Sequence, residues 1–287
     1  MSGSVAFGTC SWKFDSWKGL IYSDQAHENF LAEYAETYST VEIDQWFWSL
    51  FGEDKISLPR PDTVSEYLAS VPPEFTFTIK VPNSVTLTHF YTKAGFKPLT
   101  PNPYFFSAKL FQDFLERIAP MQEQAESLMF QFEYLNKKKM KSLGEFLEHL
   151  DRFISEIPPD WPYAIETRNP NYLYPRYFEF LRRHNLPHVF LQGYYMPSVV
   201  EVYEKHRDLF GDSAIVRLHG YEREGIEEKT GKKWNEIVSP MDGELPAVAE
   251  MIEDMVSRGM RVIVNVNNHY EGSAPRTIEK LERLLAE

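Results

Sequence analysis

The chain has 287 residues, 43% of them hydrophobic, which is ample for a sizeable core in one large domain or two small ones. Its 30 Lys and Arg stand against 42 Asp and Glu, a formal net charge of −12, so a phosphate backbone would meet net repulsion away from any local basic patch. The single cysteine, Cys10, rules out an internal disulfide framework and a zinc ribbon. The N-terminus lacks a basic, apolar leader and no apolar run approaches the roughly 18 residues of a membrane span, so a cytoplasmic protein is expected.

Short β-rich runs alternate with helical spacing from end to end. "VAFGTC" (5–10) is followed by a helical pattern over 26–38, "TVEID" (40–44) by one over 61–70, and "FTFTIK" (75–80) by one over 105–123. "SLMFQFE" (127–133) leads to 142–156, "YAIETR" (163–168) to 175–185, and "HVFLQ" (188–192) to 198–209. "AIVRLH" (214–219) and "RVIVNV" (261–266) lead to 245–258 and 274–286. Thr63 with Glu66, Ser142 with Glu145 and Ser198 with Glu201 have capping-box spacing. Eight such units in strict alternation predict a (β/α)8 TIM barrel over an open doubly wound sheet, with residues 1–287 as one domain. Two longer inserts, 82–104 and 220–244, follow strands and would lie among the loops where barrel enzymes keep their chemistry.

Residues two apart on a strand share a side. Arg217 and His219, Glu42 and Asp44, Glu166 and Arg168, and Gln131 and Glu133 each have this spacing near a strand's C-terminal end. Lys80 ends the third strand, Gln192 the sixth, and Asn265 and Asn267 share a face on the last. Turned outward, these groups would bury charge against apolar helices at several kcal/mol unless paired, so inward and upward is the cheaper orientation. Any one of them could be an ion pair at a wet strand end; so many together point to an enzyme-like mouth.

The motifs "FGTCSWKFDSWKGLIY", "VEIDQWFW", "FTIKVPNSVTLTH", "IETR", "VRLHGY" and "NVNNHYEGSAP" occur in this order along nearly the whole chain. In them the sequence resembles the DUF72 family, also called YecE-like. The resemblance implies a TIM-barrel fold and no secure general activity. It carries over Glu42, Lys80, Thr88, His89, Glu166, Arg168, Arg217, His219, Gly220 and Asn268 as matches to the family's polar motifs. The chain departs from the family where Asp44-Gln45-Trp46-Phe47-Trp48 replaces Asn-Ser-Thr-Phe-Tyr, where "QFEYLN" replaces Gln-Leu-Pro-Pro, and where Asn169 and Tyr172 replace His and Trp. These changes flank the expected pocket, so its ligand is expected to differ from that of ordinary relatives.

Glu42 and Glu166, on well-separated strands, could divide acid and base roles around a central ligand. Lys80, Arg168 and Arg217 offer cationic donors to a phosphate, a carboxylate or a developing oxyanion, with Lys80 counted among the catalytic groups. His219 could relay protons, and His89 could reach down from the long insert. Trp12 and Trp17, in the first loop, could stack on a sugar or base. Asp44, Gln131, Asn267 and Asn268 complete the expected ligand contacts. Glu42, Asp44, Glu166 and His219 also form an oxygen-plus-imidazole set compatible with a divalent ion. No nucleotide-cofactor motif is present: the lysines and glycines of "GYEREGIEEKTGKKW" lack P-loop spacing and read as a solvated charged loop. The leading expectation is an acid–base enzyme, hydrolase or isomerase-like, acting on an anionic carbohydrate or phosphorylated small molecule. The alternatives are a nucleic-acid-binding or phosphodiester-hydrolysing barrel resembling endonuclease IV, and a non-catalytic metabolite-binding barrel.

Overall fold

The computed structural model describes residues 2–23, 29–52, 55–91 and 99–286. The strands are β1 (Ser4–Thr9), β2 (Thr40–Ile43), β3 (Leu50–Gly52), β4 (Lys55–Ile56), β5 (Thr76–Lys80), β6 (Ala125–Phe132), β7 (Tyr163–Thr167), β8 (Val189–Gly193), β9 (Ser213–Gly220) and β10 (Arg261–Val266). Eight of them coincide with the expected runs; β3 and β4 form an antiparallel hairpin inside the second loop that no sequence signal marked. The fold is α/β, with two four-stranded parallel sheets in the orders β1-β10-β9-β8 and β2-β5-β6-β7.

The two sheets meet along two seams. At one, β7 and β8 share a single parallel bridge, Ile165 with His188. At the other, the Tyr34 hydroxyl accepts from the Thr9 N–H at 2.9 Å and donates to the Thr40 carbonyl at 3.1 Å, stitching β1 to β2. Only glycine fits at position 8 here, because a Cβ would lie 2.4 Å from the Thr40 carbonyl oxygen. A separate small apolar cluster of Ala6, Met129, Ala164, Val189, Ile215 and Ile263 draws on strands of both sheets. The main core lies on the opposite faces of the strands, where aromatic and aliphatic side chains pack against the helices. No helix among the described residues is long and apolar enough to cross a membrane.

Helices follow the predicted windows closely: Phe30–Thr37, Pro61–Ala69, Ala108–Ile118, Leu143–Glu156, Pro175–Arg183, Val199–His206, Leu245–Ser257 and Ala274–Ala286. Residues 26–28 of the first window lie outside the described residues. Of the three capping boxes one acts as a cap, the Ser142 hydroxyl accepting from the Glu145 N–H at 3.1 Å. Thr63 lies inside its helix, whose N-cap is Arg60, because Pro61 already starts the turn. At Ser198 the side chain makes no cap bond; Gln192 accepts the Val199 N–H at 2.9 Å instead. Gln192 thus points from β8 toward the following helix and not toward the mouth.

The described parts of both inserts carry helical structure. Asn83–Thr86 forms a buried helical turn, and Asn102 donates to the carbonyls of Ser84 and Leu87 at 2.8 and 2.6 Å. The stretch 220–244 contains the helix Arg223–Thr230 and a buried tryptophan, Trp234, which corrects its reading as a solvated loop.

Candidate active site

Alternation along the strands sets what faces what. Two residues beyond Ile263, Ile215 and Ala164 of the small apolar cluster come Asn265, Arg217 and Glu166, and two beyond Met129 comes Gln131. A polar layer therefore sits directly on an apolar one. Arg217 is its centre: Nε and Nη2 donate to the two Glu42 carboxylate oxygens at 2.8 and 2.7 Å, and Nη1 donates to Glu166 and, at 3.4 Å, to Gln131. Arg217, Glu42 and Glu166 are fully buried, and Arg217 on β9 joins one sheet to β2, β6 and β7 of the other. Burial alone would favour the neutral arginine, but Glu166 and Glu42 outweigh it and hold the charge firmly. Burial likewise opposes the Glu166 charge, yet Arg217, Arg168 and Lys80 keep its carboxyl below the usual range.

Above this layer, at the C-terminal ends of the strands, opens a cavity of about 260 Å³. Asp44, Lys80, Gln131, Arg168, His219, Trp17, Asn267 and Asn268, all expected at the site, line it. Glu42, Glu166 and Arg217 do not; they form the layer beneath, with their charges committed to one another. The structure therefore does not bring the expected acid–base pair, or the expected anion-binding Arg217, to the cavity surface. Trp12 is also withdrawn, fully buried with its ring edge against Tyr67 at 5.1 Å. His89 stays outside the lining, held by Thr88 Oγ1 at 2.9 Å and bridged to Pro101. Among the described residues no group of three or more His, Cys, Asp and Glu side chains is placed to hold a metal, and the Arg217 guanidinium binds two of the three carboxylates of the expected set, Glu42 and Glu166.

Lys80 and Arg168 give the cavity its sign. Lys80, only 8% exposed, packs its Nζ 4.1 Å from the centre of the Phe47 ring, with no hydrogen bond or ion pair to it among the described residues. Burial and the Arg217 charge lower its pKa, against the pull of Glu42, Glu166 and Asp44. Arg168 uses Nε on Glu166 at 3.1 Å and lies 4.7 Å over the Tyr194 ring. Its two Nη groups have no protein acceptor among the described residues. Asp44 is pushed up to about 6 by burial and by Glu42, with Lys80 and Arg217 opposing. His219 is held well below the usual imidazole range by burial and by Arg217, Arg168 and Lys80.

Sequence reasoning passed over Cys10, whose Sγ is 3.5 Å from His219 Nε2. Burial and Glu42 push its thiol pKa up, so the pair is a neutral thiol beside a neutral imidazole. The signal was present, since Cys10 stands two residues beyond Gly8 on the same strand face. Tyr194, with its hydroxyl 3.5 Å from His219 Nδ1, and Phe47 carried no such signal. Tyr194 holds a left-handed backbone, φ 54°, just after Gly193, where a Cβ would lie 2.2 Å from the Gly220 carbonyl oxygen.

A larger cavity, about 370 Å³, opens at the opposite, N-terminal ends of the strands. Its main charges are satisfied within the protein: Arg261 Nε and Nη2 meet Glu126 at 3.0 and 3.2 Å. The smaller cavity is thus the one with free chemistry.

The model of the family described as "Protein of unknown function DUF72" matches residues 6–287. The chain belongs to DUF72. Among solved structures, a DUF72 family protein from Thermotoga maritima MSB8 is 21% identical, with 99% of each chain covered and a TM-score of 0.68. One from Enterococcus faecalis V583 is 20% identical, covering 99% of this chain and 96% of that one, with a TM-score of 0.70. At these identities the likeness concerns the fold alone. No curated protein matches. Within the DUF72 motifs, "VEID", "IETR" and "VRLH" supply the buried layer of Glu42, Glu166 and Arg217, while "FTIK" and the last residue of "IETR" supply the two cations, Lys80 and Arg168, that face the cavity.

Proposed function

We propose that this DUF72 chain is a single-domain (β/α)8 barrel enzyme, its two half-sheets closing around the Arg217 layer, and that it performs acid–base chemistry on a small anionic molecule. The substrate class is a phosphorylated or carboxylated carbohydrate. The observation that carries the reading is Lys80, a cation more than nine-tenths buried that faces a cavity with no carboxylate partner among the described residues. In an acidic protein such a charge is costly unless a ligand answers it. Arg168 anchors the anionic group with its free Nη atoms. Asp44, about half protonated near pH 6, gives and takes the proton, and neutral His219 accepts one on the opposite wall. Glu42, Glu166 and Arg217 act as positioning residues that hold Arg168 and the cavity floor. The occupant is a small molecule, not a nucleic acid.

The test is calorimetric titration with inorganic phosphate and with aldose and ketose phosphates. A binder is then followed by proton NMR in heavy water for exchange at the carbon beside its carbonyl. Binding is expected to weaken at least ~10-fold, about 1.4 kcal/mol, in Arg168→Met, and exchange to disappear in Asp44→Asn. Equal binding by wild type and Arg168→Met would overturn the reading.

A further inference from the structure

We propose that Lys80 forms a covalent imine with the carbonyl carbon of an anionic substrate in this cavity. The inference rests on the reading above and deepens it, since it assigns the substrate a carbonyl group and the reaction a covalent intermediate.

A lysine becomes a nucleophile when it is desolvated, spared a carboxylate partner and set beside another cation. All three conditions hold at Lys80. It ends β5 with its side chain inside the cavity, and its nearest aromatic neighbour, Phe47, shields Nζ on one side. Two of the three nearby carboxylates, Glu42 and Glu166, are engaged by Arg217, so they stabilise the Lys80 charge only at a distance. Arg217 itself lies close enough to disfavour that charge. The third carboxylate, Asp44, lines the same wall without bonding Nζ and is the group most evenly divided between acid and base near pH 6.

The step balances without an oxidant or reductant. The neutral Nζ forms a bond to the carbonyl carbon, the C=O π pair moves to oxygen, and protonated Asp44 supplies its proton. The new ammonium nitrogen returns one of its protons to the Asp44 carboxylate, which restores the nitrogen lone pair. Asp44 passes that proton to the carbinolamine hydroxyl, which leaves as water while the lone pair closes the C=N bond as an iminium. Arg168 holds the carboxylate or phosphate of the same molecule, which fixes the carbonyl over Nζ. The iminium then draws electrons from the adjacent carbon, the position at which Asp44 or His219 would remove a proton.

The test uses glyoxylate, an aldehyde carboxylate small enough for the cavity, with sodium cyanoborohydride to reduce any imine to a stable secondary amine. Full-length protein is treated at pH 7 and mapped by peptide mass spectrometry. The expected result is one adduct per chain, at Lys80, formed at least ~10-fold faster than at any other lysine and slowed by inorganic phosphate. Lys80→Arg cannot form the imine and should yield no dominant adduct, while Arg261→Met, at the opposite ends of the strands, should bind phosphate and be labelled at Lys80 as wild type is. Lys80 left unmodified in the folded protein but labelled after unfolding would overturn the proposal. Phosphate binding with no Lys80 adduct removes the imine and leaves the anion site standing; an adduct without phosphate binding, unaffected by Arg168→Met, does the reverse.

Discussion

At the N-terminal ends of the strands Arg261 reaches Glu126 with two hydrogen bonds, and both side chains keep contact with solvent. At the C-terminal ends Lys80 and Arg168 face a cavity, and the carboxylates that could neutralise them are shared with a fully buried Arg217. The same residue types thus do two kinds of work. At one end charges satisfy each other and close the bottom of the sheets; at the other a closed network is placed one layer below the surface, so that the charges above it remain available. A buried network is what makes free charge at the cavity possible, since without Arg217 the carboxylates of Glu42 and Glu166 would be left to draw on Lys80 and Arg168.

The most severe way to break this contrast is Arg217→Met. It leaves two fully buried carboxylates facing each other, and loss of one member of a buried network costs roughly 3–5 kcal/mol. Urea denaturation should show that loss, and the further changes Glu42→Gln and Glu166→Gln in the same chain should recover part of it. A variant as stable as wild type would mean that the carboxylates are hydrated or protonated and that the layer is not the support described here.

How much of this was legible follows from the same physics. Period-two spacing and apolar runs placed eight strands, and the i,i+2 rule brought Asp44, Lys80, Gln131, Arg168 and His219 to one cavity. The rule could not say which inward residues stop one layer short. Glu42 and Arg217 have the same spacing as Asp44 and His219, but they stand two residues earlier on strands whose register puts them beneath the opening. Depth depends on the stagger between strands, which no single strand encodes. Gln192 was read as facing the mouth for a related reason: it ends a strand, but alternation from Val189 turns it toward the helix whose N-terminus it caps. Phe47 and Tyr194 come from loops, where no period exists to read.

A smaller effect sharpens the contrast through pH. The Asp44 pKa rises from 3.8 to about 6 on folding, so between roughly pH 4 and 6 the folded protein holds a proton that the unfolded chain has released. The contribution of Asp44 is therefore present below about pH 4 and is lost as pH rises through 6, by on the order of 3 kcal/mol. Glu166 and His219, both lowered, act in the opposite sense and lose stability as pH falls. Subtracting the stability profile of Asp44→Asn from that of wild type isolates the first component; a flat difference between pH 4 and 7 would place Asp44 in solvent and remove it as the proton carrier.

The mildest change is expected at the other end. Arg261 is 36% exposed and Glu126 19%, so solvent screens their pair in a way it cannot screen Arg217. Arg261→Met should cost no more than about 1 kcal/mol, fall further in effect at high salt, and leave phosphate binding unchanged. The comparison with Arg217→Met then reads burial and the second carboxylate together: both arginines make a bidentate contact with one carboxylate, but Arg217 also holds Glu166 and is shut off from water. If Arg261→Met proved as damaging as Arg217→Met, cross-sheet links would matter equally at both ends, and the free charge at the C-terminal cavity would need a cause other than the depth of the layer beneath it.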